Sequence, residues 1–468
     1  MADVIAPPSE APDRTPELDR ESRLKPDFVA AVEDAVQRGD TAEARELVEP
    51  LHPADLADLF ELVAAPDRAP LASAIADRLD ADVFAEMNDW VREDLLDRLP
   101  AQEVANIAGE LDTDDAVAII EDLDAPEQAA VLEAMEPDDR AAVEQALSFP
   151  EESAGRLMQR ELVAVPEHWT VGRVIDWLRG QDDLPTDFYE IFVVDPGHHP
   201  IGTAALSWVL RAPRGIAMAD IMQREQTLIP VDMDQEEVAL RFQKYALISA
   251  AVVDRGGRLV GVITADDIVH IIQEEASEDA LLLSGVDEGD INEPVVESYK
   301  SRVRWLAANL LTALVAASIV SAFSESIAAM AILAALMPIV AGVGGNAGTQ
   351  TLAVTVRALA TNQLTQSNTL RAITRELKVA VLNGLTIALL IGLGVSLVLQ
   401  SPQLGGVIAA AMLANILIAG LAGVLVPLSL ERAGADPAVA SSVFVTMVTD
   451  SMGFLVFLGL ATAAGLAG

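Results

Sequence analysis

Five apolar stretches in the last third of the sequence restrict the fold more than any other feature. They span about 305–323, 327–345, 379–399, 405–429 and 441–466, and each is close to the roughly 20 residues that a helix needs to cross a bilayer. Asp450 is the one ionisable residue that lies deep inside any of them. The sequence therefore predicts an integral membrane protein with five helical spans, whose two ends lie on opposite sides of the membrane.

Basic residues flank alternate ends of these stretches. They precede the first stretch, separate the second from the third, and separate the fourth from the fifth: Lys300, Arg302, Arg304, Arg357, Arg371, Arg375, Lys378 and Arg432. The other connections carry none. Because basic connections stay on the cytoplasmic side, we expect a multi-pass protein of the cell (plasma) membrane with cytoplasmic N-terminal domains and an outside C-terminus.

The charge is concentrated before the membrane part. The first 300 residues contain 23 basic and 67 acidic residues, a net charge of -44, whereas the remainder contains seven basic and five acidic ones. Such a surface repels nucleic acid and attracts cations. A general adaptation to salt is an alternative explanation for many of these acids. The absence of cysteine excludes thiolate metal sites.

The N-terminal part of the sequence begins with two segments that differ in composition. Residues 1–26 are polar and proline-rich and predict a disordered tail, and 27–155 predict an all-α helical-repeat domain. A 12-residue period is visible in AQEVANIAGELD, TDDAVAIIEDLD, APEQAAVLEAME and PDDRAAVEQALS, which begin at residue 101. Helices this short are marginal alone, so we expect them to stack and bury their aliphatic stripes together.

An α/β unit follows twice. Strand-like runs occur at 191–195, 250–254 and 258–263, with helical texture between them, and the second copy ends in Thr264-Ala-Asp-Asp267 before a helix. The two copies, 156–218 and 219–275, resemble a tandem of CBS domains. Residues 276–300 are expected to form a connecting helix to the transmembrane domain, 301–468.

Asp450 is the residue with the clearest chemical purpose. An isolated carboxylate in hydrocarbon costs roughly 2.5 to 3.5 kcal/mol, and the spans hold no Lys, Arg or His to neutralise it. Ser442, Thr446, Thr449 and Gly453 share its predicted helix face. Two copies of Asp450 across a twofold axis suit a hydrated magnesium ion, which predicts a homodimer with an axial pore. The alternative is a hydrogen bond between packed helices.

The second stretch contains Met337-Pro-Ile-Val-Ala-Gly-Val-Gly-Gly-Asn-Ala-Gly-Thr-Gln350, in which proline and glycines are expected to break the helix. Asn346 and Gln350 offer amide oxygens there, either to an ion or to neighbouring helices. This PxxxGxGGNxGxQ pattern, together with Asp450, the CBS tandem and AGRLM at 154–158, resembles the MgtE family of magnesium channels over nearly the whole chain.

The resemblance implies a homodimeric magnesium-selective channel, not an enzyme, that passes Mg²⁺ into the cytoplasm and closes when cytoplasmic Mg²⁺ is high. Three residues match pore positions of the family: Asp450, Thr446 and Asn346. Seven match regulatory metal positions: Asp82, Asp114, Glu236, Asp267, Glu275, Glu278 and Asp279. Ala118, Ala246 and His270 stand where the family pattern has aspartates, which puts some regulatory sites in doubt.

The acidic residues on the predicted helix that follows the second CBS copy support a gate on physical grounds as well. Glu274 and Glu278, and Glu275 and Asp279, are like charges four residues apart, and each such pair destabilises a helix by roughly 0.2 to 0.5 kcal/mol. A bridging divalent cation would relieve that repulsion and draw the domains together.

Three questions stay open on sequence alone. CBS tandems bind adenine nucleotides, and Thr264 with Asp267 is a pair suited to a ribose, so ATP is a candidate ligand. A transporter of broader selectivity for cobalt, manganese or nickel is one alternative function. A non-conducting membrane sensor of magnesium or nucleotide is the other, and a carboxylate inside the bilayer argues against it.

Overall fold

The computed structural model describes residues 17–19, 23–181, 184–185, 188–286, 289–365, 367–439 and 441–466. Most of the tail expected over 1–26 lies outside the described residues. The chain divides into two compact units, Met1–Ile271 and Ile272–Gly468.

The first unit begins with ten short helices. They are α1 (Pro26–Gln37), α2 (Thr41–Val48), α3 (Pro53–Leu62), α4 (Ala65–Ala74), α5 (Ala81–Ala85), α6 (Asp89–Leu96), α7 (Ala101–Ala108), α8 (Thr113–Glu121), α9 (Ala125–Ala134) and α10 (Pro137–Ala146). The last four begin 12 residues apart, which confirms the predicted period. Their aliphatic stripes share one core, with Leu56, Phe60 and Ile119 among its fully buried members. Stacking thus supplies the burial that each helix lacks alone.

Two three-stranded sheets follow and have the same topology. The first copy comprises β1 (Ala164–Pro166), α11 (Val171–Leu178), β2 (Glu190–Val194), β3 (Pro200–Ala205) and α12 (Leu206–Arg211). After α13 (Met218–Ile221), the second comprises β4 (Leu228–Pro230), α14 (Gln235–Tyr245), β5 (Ser249–Val253), β6 (Leu259–Thr264) and α15 (Ala265–Leu283). In each, the first strand pairs in parallel with the second and the second pairs antiparallel with the third.

The agreement extends to irregularities. The register shifts between Val193 and Val194 in the first sheet and between Val252 and Val253 in the second. A matching bulge at matching positions confirms that one α/β unit occurs twice in the sequence.

Among its described residues, the second unit contains five helices long and apolar enough to cross a membrane. They are α16 (Val295–Ala322), α18 (Ile332–Ala360), α19 (Thr369–Val398), α20 (Pro402–Arg432) and α21 (Ser441–Ala463), with the short α17 (Ser324–Ala329) between the first two. Helix α20 is the most buried and packs against α18, α19 and α21. Glycines permit this close packing: a Cβ on Gly405 would lie 2.5 Å from the carbonyl oxygen of Gly392.

Two expectations about helix limits were wrong in detail. The proline and glycines of the 337–350 segment do not break the second span, because α18 continues from Ile332 through Pro338 to Ala360. In hydrocarbon, a break would leave several backbone groups without partners, whereas proline within a helix removes one hydrogen bond. The segment 276–300 is not one helix either: α15 ends at Leu283 and α16 begins at Val295.

Candidate functional site

The three residues assigned to the pore lie on two helices that pack together. Asn346 is on α18, and Thr446 and Asp450 are on α21. Asn346 and Thr446 are exposed on this single chain, and Asp450 is half-buried. The polar groups therefore stay accessible on the two helices that carry them, although no hydrogen bond among the described residues joins these three side chains.

Glycines of the α18 pattern bring α18 against α21. A Cβ on Gly348 would lie 2.7 Å from Val445 Cγ1, closer than real side chains approach. A Cβ on Gly345 would reach 4.0 Å from the hydroxyl oxygen of Thr449. The predicted polar face of α21 is thus divided: Thr449 and Gly453 are buried against neighbouring helices, while Thr446 and Asp450 are not.

A buried amide that sequence reasoning missed lies between the same two helices. Asn415, on α20, is fully buried and donates from Nδ2 to the carbonyl oxygen of Val340 at 2.9 Å. Glycines make room for it on both sides: a Cβ on Gly344 would lie 2.0 Å from Nδ2, and one on Gly453 would lie 2.7 Å from it. Asn415 is the one amide in the apolar stretch 405–429, and that signal was available in the sequence.

The contacts of Asn415 indicate a structural role. Its hydrogen bond joins α20 to the carbonyl oxygen of Val340, two residues past Pro338 in α18. Its Oδ1 is buried without a hydrogen-bond partner among the described residues. A buried amide with one end satisfied fixes the register of α18 against α20 and α21, and so fixes where Asn346 and Asp450 stand.

In the first unit, carboxylates from two elements converge. Asp114 and Asp115 lie in the first turn of α8, and Asp267 lies in the first turn of α15. Burial, followed by the charge of Asp267, raises the pKa of Asp114 well above its usual range. The same two causes raise the pKa of Asp115 to about 6. Asp114 and Asp267, both matched to regulatory positions by the sequence, are therefore close enough to interact electrostatically; their metal role stays a prediction, and Asp115 was not among the predicted residues.

Asp267 is fixed by neighbours. The hydroxyl of Thr264 donates to its Oδ2 at 2.6 Å, and the Gln159 amide donates to the same oxygen at 3.3 Å. Burial raises the pKa of Asp267 to about 6 despite the hydrogen bonds from Thr264, which lower it. Asp114 Oδ1 is buried without a hydrogen-bond partner in the described part of the chain. An unpaired buried carboxylate oxygen beside further carboxylates is a place where a cation would lower the energy.

The other two regulatory candidates of this unit lie on separate helices, α5 and α14. Asp82 is exposed on α5, a helix that packs against α8. Glu236 is half-buried in the first turn of α14.

In the second unit, the end of α15 packs beside the membrane helices. Leu282 is buried with Leu352 and Val356 of α18, Val445 of α21, and Ala438, which precedes α21. Asp279 lies one turn earlier, and burial together with the charge of Asp436 raises its pKa. Glu275 and Glu278 are half-buried on the same helix. Asp436, in the connection between α20 and α21, was missed because it follows the fourth span without a pattern of its own.

These acids approach without forming a ready-made coordination shell. Over the residues that the structure describes, no group of three or more His, Cys, Asp or Glu side chains is arranged to hold a metal ion. Magnesium commonly retains several waters and binds through one or two carboxylates, so a hydrated ion needs no such group.

Comparison with known proteins decides the family. The family model described as MgtE, divalent cation transporter, matches residues 337–460, and the MgtE intracellular N domain model matches 51–152. The magnesium transporter MgtE of Thermus thermophilus is 32% identical over 440 residues, which cover 93% of this chain and 98% of the relative. The chain belongs to the MgtE family of magnesium transporters.

Two further similar proteins are an MgtE sequence and a solved cytosolic domain. The MgtE of Enterococcus faecalis is 33% identical over 316 residues, 68% of this chain and 70% of the relative. A solved structure of the cytosolic domain of the Mg²⁺ channel MgtE in complex with ATP is 31% identical. The match covers 52% of this chain and 99% of the chain in that structure, with a TM-score of 0.48. The CBS domain model matches residues 218–274, the second of the two α/β copies.

Proposed function

We propose that this MgtE-family chain is a homodimeric channel that passes Mg²⁺ down its electrochemical gradient into the cytoplasm. The observation that carries the proposal is Asp450, a half-buried carboxylate inside a membrane-spanning helix, on the α21 helix that packs against the Asn346-bearing α18. Twofold symmetry would set two such carboxylates around one hydrated ion, with Thr446 and Asn346 as further ligands along the path.

Magnesium uptake into liposomes that contain the purified chain tests the pore. We expect Asp450→Asn and Asp450→Ala to abolish flux, since each removes the charge that would hold the ion. Glu431→Gln is the matched control, because Glu431 is an exposed carboxylate at the end of α20. Flux that survives both Asp450 substitutions would refute the pore assignment. No flux from the unchanged protein at low internal Mg²⁺ would favour the sensor, and equal passage of Co²⁺, Mn²⁺ or Ni²⁺ would favour the broader transporter.

We further propose that cytoplasmic Mg²⁺ closes the channel through two carboxylate groups. One is the cluster of Asp114, Asp115 and Asp267; the other is Asp279 with Asp436, at the end of α15 that packs beside α18 and α21. In both groups like charges are held close, so a divalent cation would relieve repulsion that the protein alone retains. Asp267→Asn and Asp279→Asn should each raise the Mg²⁺ concentration needed to stop flux, whereas Glu103→Gln on α7 should not.

We also propose the orientation with cytoplasmic N-terminal domains. The chain has no cysteine, so single cysteines report sidedness directly. Glu325→Cys, between the first two spans, should react with an impermeant thiol reagent added outside the cell, and Ser367→Cys, between α18 and α19, should not. The reverse result would invert the topology and contradict the cytoplasmic gate.

ATP is a subsidiary candidate ligand of the CBS pair. Asp267, the expected ribose partner, already accepts hydrogen bonds from Thr264 and Gln159. A nucleotide and the carboxylate cluster would therefore draw on the same side chain. Isothermal titration of ATP with and without Mg²⁺ tests this, and an ATP affinity unchanged by Asp267→Asn would exclude the assigned contact.

A further inference from the structure

One face of α19 changes from basic to aliphatic at a single point. The residues on this face follow each other in steps of four and three: Arg371, Arg375, Lys378, Leu382, Leu385 and Leu389. All six are exposed on this chain, the leucines by 67, 53 and 62%. We call this row the α19 stripe. Steps of four and three keep its members on one side of the helix.

The basic end of the α19 stripe forms a groove. A cavity of about 550 Å³ is lined by the three basic side chains together with Leu370, Thr374, Val379 and Leu382. The groove is therefore lined by both cationic and aliphatic side chains. This combination matches a molecule with an anionic head and a hydrocarbon tail.

The charges of the groove are largely uncompensated. Arg375 pairs with Glu376, whose carboxylate is buried. Arg371 and Lys378 have no acidic partner among the described residues. A net positive groove is unusual on a chain whose net charge is -42. Free cations beside the first turns of a membrane-spanning helix attract lipid phosphates.

We propose that the α19 stripe binds an anionic phospholipid, with the phosphate held by Arg371, Arg375 and Lys378 and an acyl chain along the leucines. The dimensions fit, because the 11 helical steps from Leu382 to Leu393, a further exposed leucine on the same face, extend about 17 Å, close to half of the roughly 30 Å hydrocarbon core. One leaflet of lipid therefore covers the exposed leucines.

A second copy of the chain fits this face less well. A twofold contact through the α19 stripe with the helices parallel would set three basic residues against the same three of the partner. Like charges in direct opposition disfavour that contact, whereas a phosphate neutralises them. Soluble phosphate would leave the leucines uncovered, so the structure favours a lipid.

Native mass spectrometry of the full-length, delipidated protein tests the site. Phosphatidylglycerol and phosphatidylcholine with identical acyl chains are titrated, and bound lipids are counted. We expect a preference for phosphatidylglycerol that falls about 100-fold in the triple variant Arg371→Gln, Arg375→Gln, Lys378→Gln, since each basic residue near an anionic head contributes about fivefold. Arg371→Gln and Lys378→Gln alone should each lower it about fivefold, which preserves the test if the triple variant fails to fold.

The matched control removes the same charge elsewhere, through Arg302→Gln, Arg357→Gln and Arg432→Gln, at exposed positions outside the α19 stripe. Retention of the preference in this control supports the proposal. Equal loss in both triple variants would overturn it, because the effect would then be general surface charge. Full displacement of the lipid by glycerol 3-phosphate at equal concentration would also overturn the proposal. It would be overturned as well if the triple variant of the α19 stripe were monomeric and bound lipid normally, because the stripe would then contact a second copy of the chain.

Discussion

Replacing Asp115 by Asn should stabilise the first unit of the Mg²⁺-free protein at neutral pH. Burial and the neighbouring charges of Asp267, Asp112 and Glu86 raise the pKa of Asp115 from 3.8 to about 6, and Arg92 lowers it. A difference of about two units corresponds to about 3 kcal/mol against the ionised form. Asn has the same shape without the charge, so it removes this penalty.

The sign of the pH dependence follows from linkage. The folded protein binds the Asp115 proton more tightly than the unfolded chain does, so the ionisation penalty is complete above pH 6 and fades as the pH falls toward 3.8. The penalty is about 3 kcal/mol at pH 7.5 and about 1 kcal/mol at pH 4.5. These values are upper bounds for one substitution, because Asp267 shares the repulsion.

Hydrogen exchange of the α8 backbone amides in the full chain, with EDTA present, measures this local stability. At pH 7.5 the exchange of Asp115→Asn should be slower than that of the unchanged protein by up to about 150-fold, and at pH 4.5 by up to about fivefold after correction for the intrinsic rate. Glu103→Gln, an exposed carboxylate on α7, should leave α8 unchanged.

Two results would refute this reasoning. Equal slowing at both pH values would mean that the substitution acts through packing and not through charge. Faster exchange at pH 7.5 would mean that Asp115 stabilises α8 as an ion, in spite of its acidic neighbours. Added Mg²⁺ should slow α8 exchange more in the unchanged protein than in Asp115→Asn, since less repulsion is left to relieve.

Two further predictions concern backbone positions. Gly344→Ala should lower the thermal midpoint and the Mg²⁺ flux, because its Cβ would lie 2.0 Å from Asn415 Nδ2 and displacing a buried side chain costs roughly 1 to 3 kcal/mol. Gly342→Ala is the control on the same helix: its Cβ would meet nothing within 4 Å, so both the midpoint and the flux should be kept. Equal losses in the two variants would show that helix flexibility matters and not the Asn415 amide. Ala246→Gly should stabilise the second CBS copy by about 1 kcal/mol in thermal unfolding, because Ala246 has a left-handed φ of 51°, and a lowered midpoint would contradict this.

Local patterns predicted most of the fold. The 12-residue period at 101–148 predicted where four helices begin. It could do so because the acidic or proline residues that start each helix and the aliphatic residues of its stripe lie within one short repeat. The repeated α/β unit and the five spans were likewise visible in short windows. The continuity of α18 was not visible in such windows, because glycine and proline propensities come from water-exposed helices. In a membrane, the requirement for satisfied backbone hydrogen bonds outweighs these propensities.

The site was predictable in part for a different reason. Asp114, Asp267 and Asp450 were predicted from the resemblance and from the cost of a carboxylate in a span, and their roles stay predictions. Asp115, Asp436 and Asn415 were missed because their importance lies in contacts with distant elements: Asp115 with Asp267, Asp436 with Asp279, and Asn415 with Val340. Such pairs leave no periodic trace in the sequence.

On the proposed mechanism, protons and Mg²⁺ act on the same repulsion. Burial and like charge raise the pKa of Asp114 and of Asp279, one in each unit. A bound cation favours the ionised carboxylates, whereas a proton neutralises them, so either can relieve the strain but they exclude each other at one group. Lowering the pH toward 6 should therefore weaken the response of the cytoplasmic part to Mg²⁺ while making the Mg²⁺-free protein more stable. Asp115 and Asp267, whose pKa values are raised to about 6, ionise further as the pH rises above 6, so a gate built from these carboxylates should respond more steeply to free Mg²⁺ there.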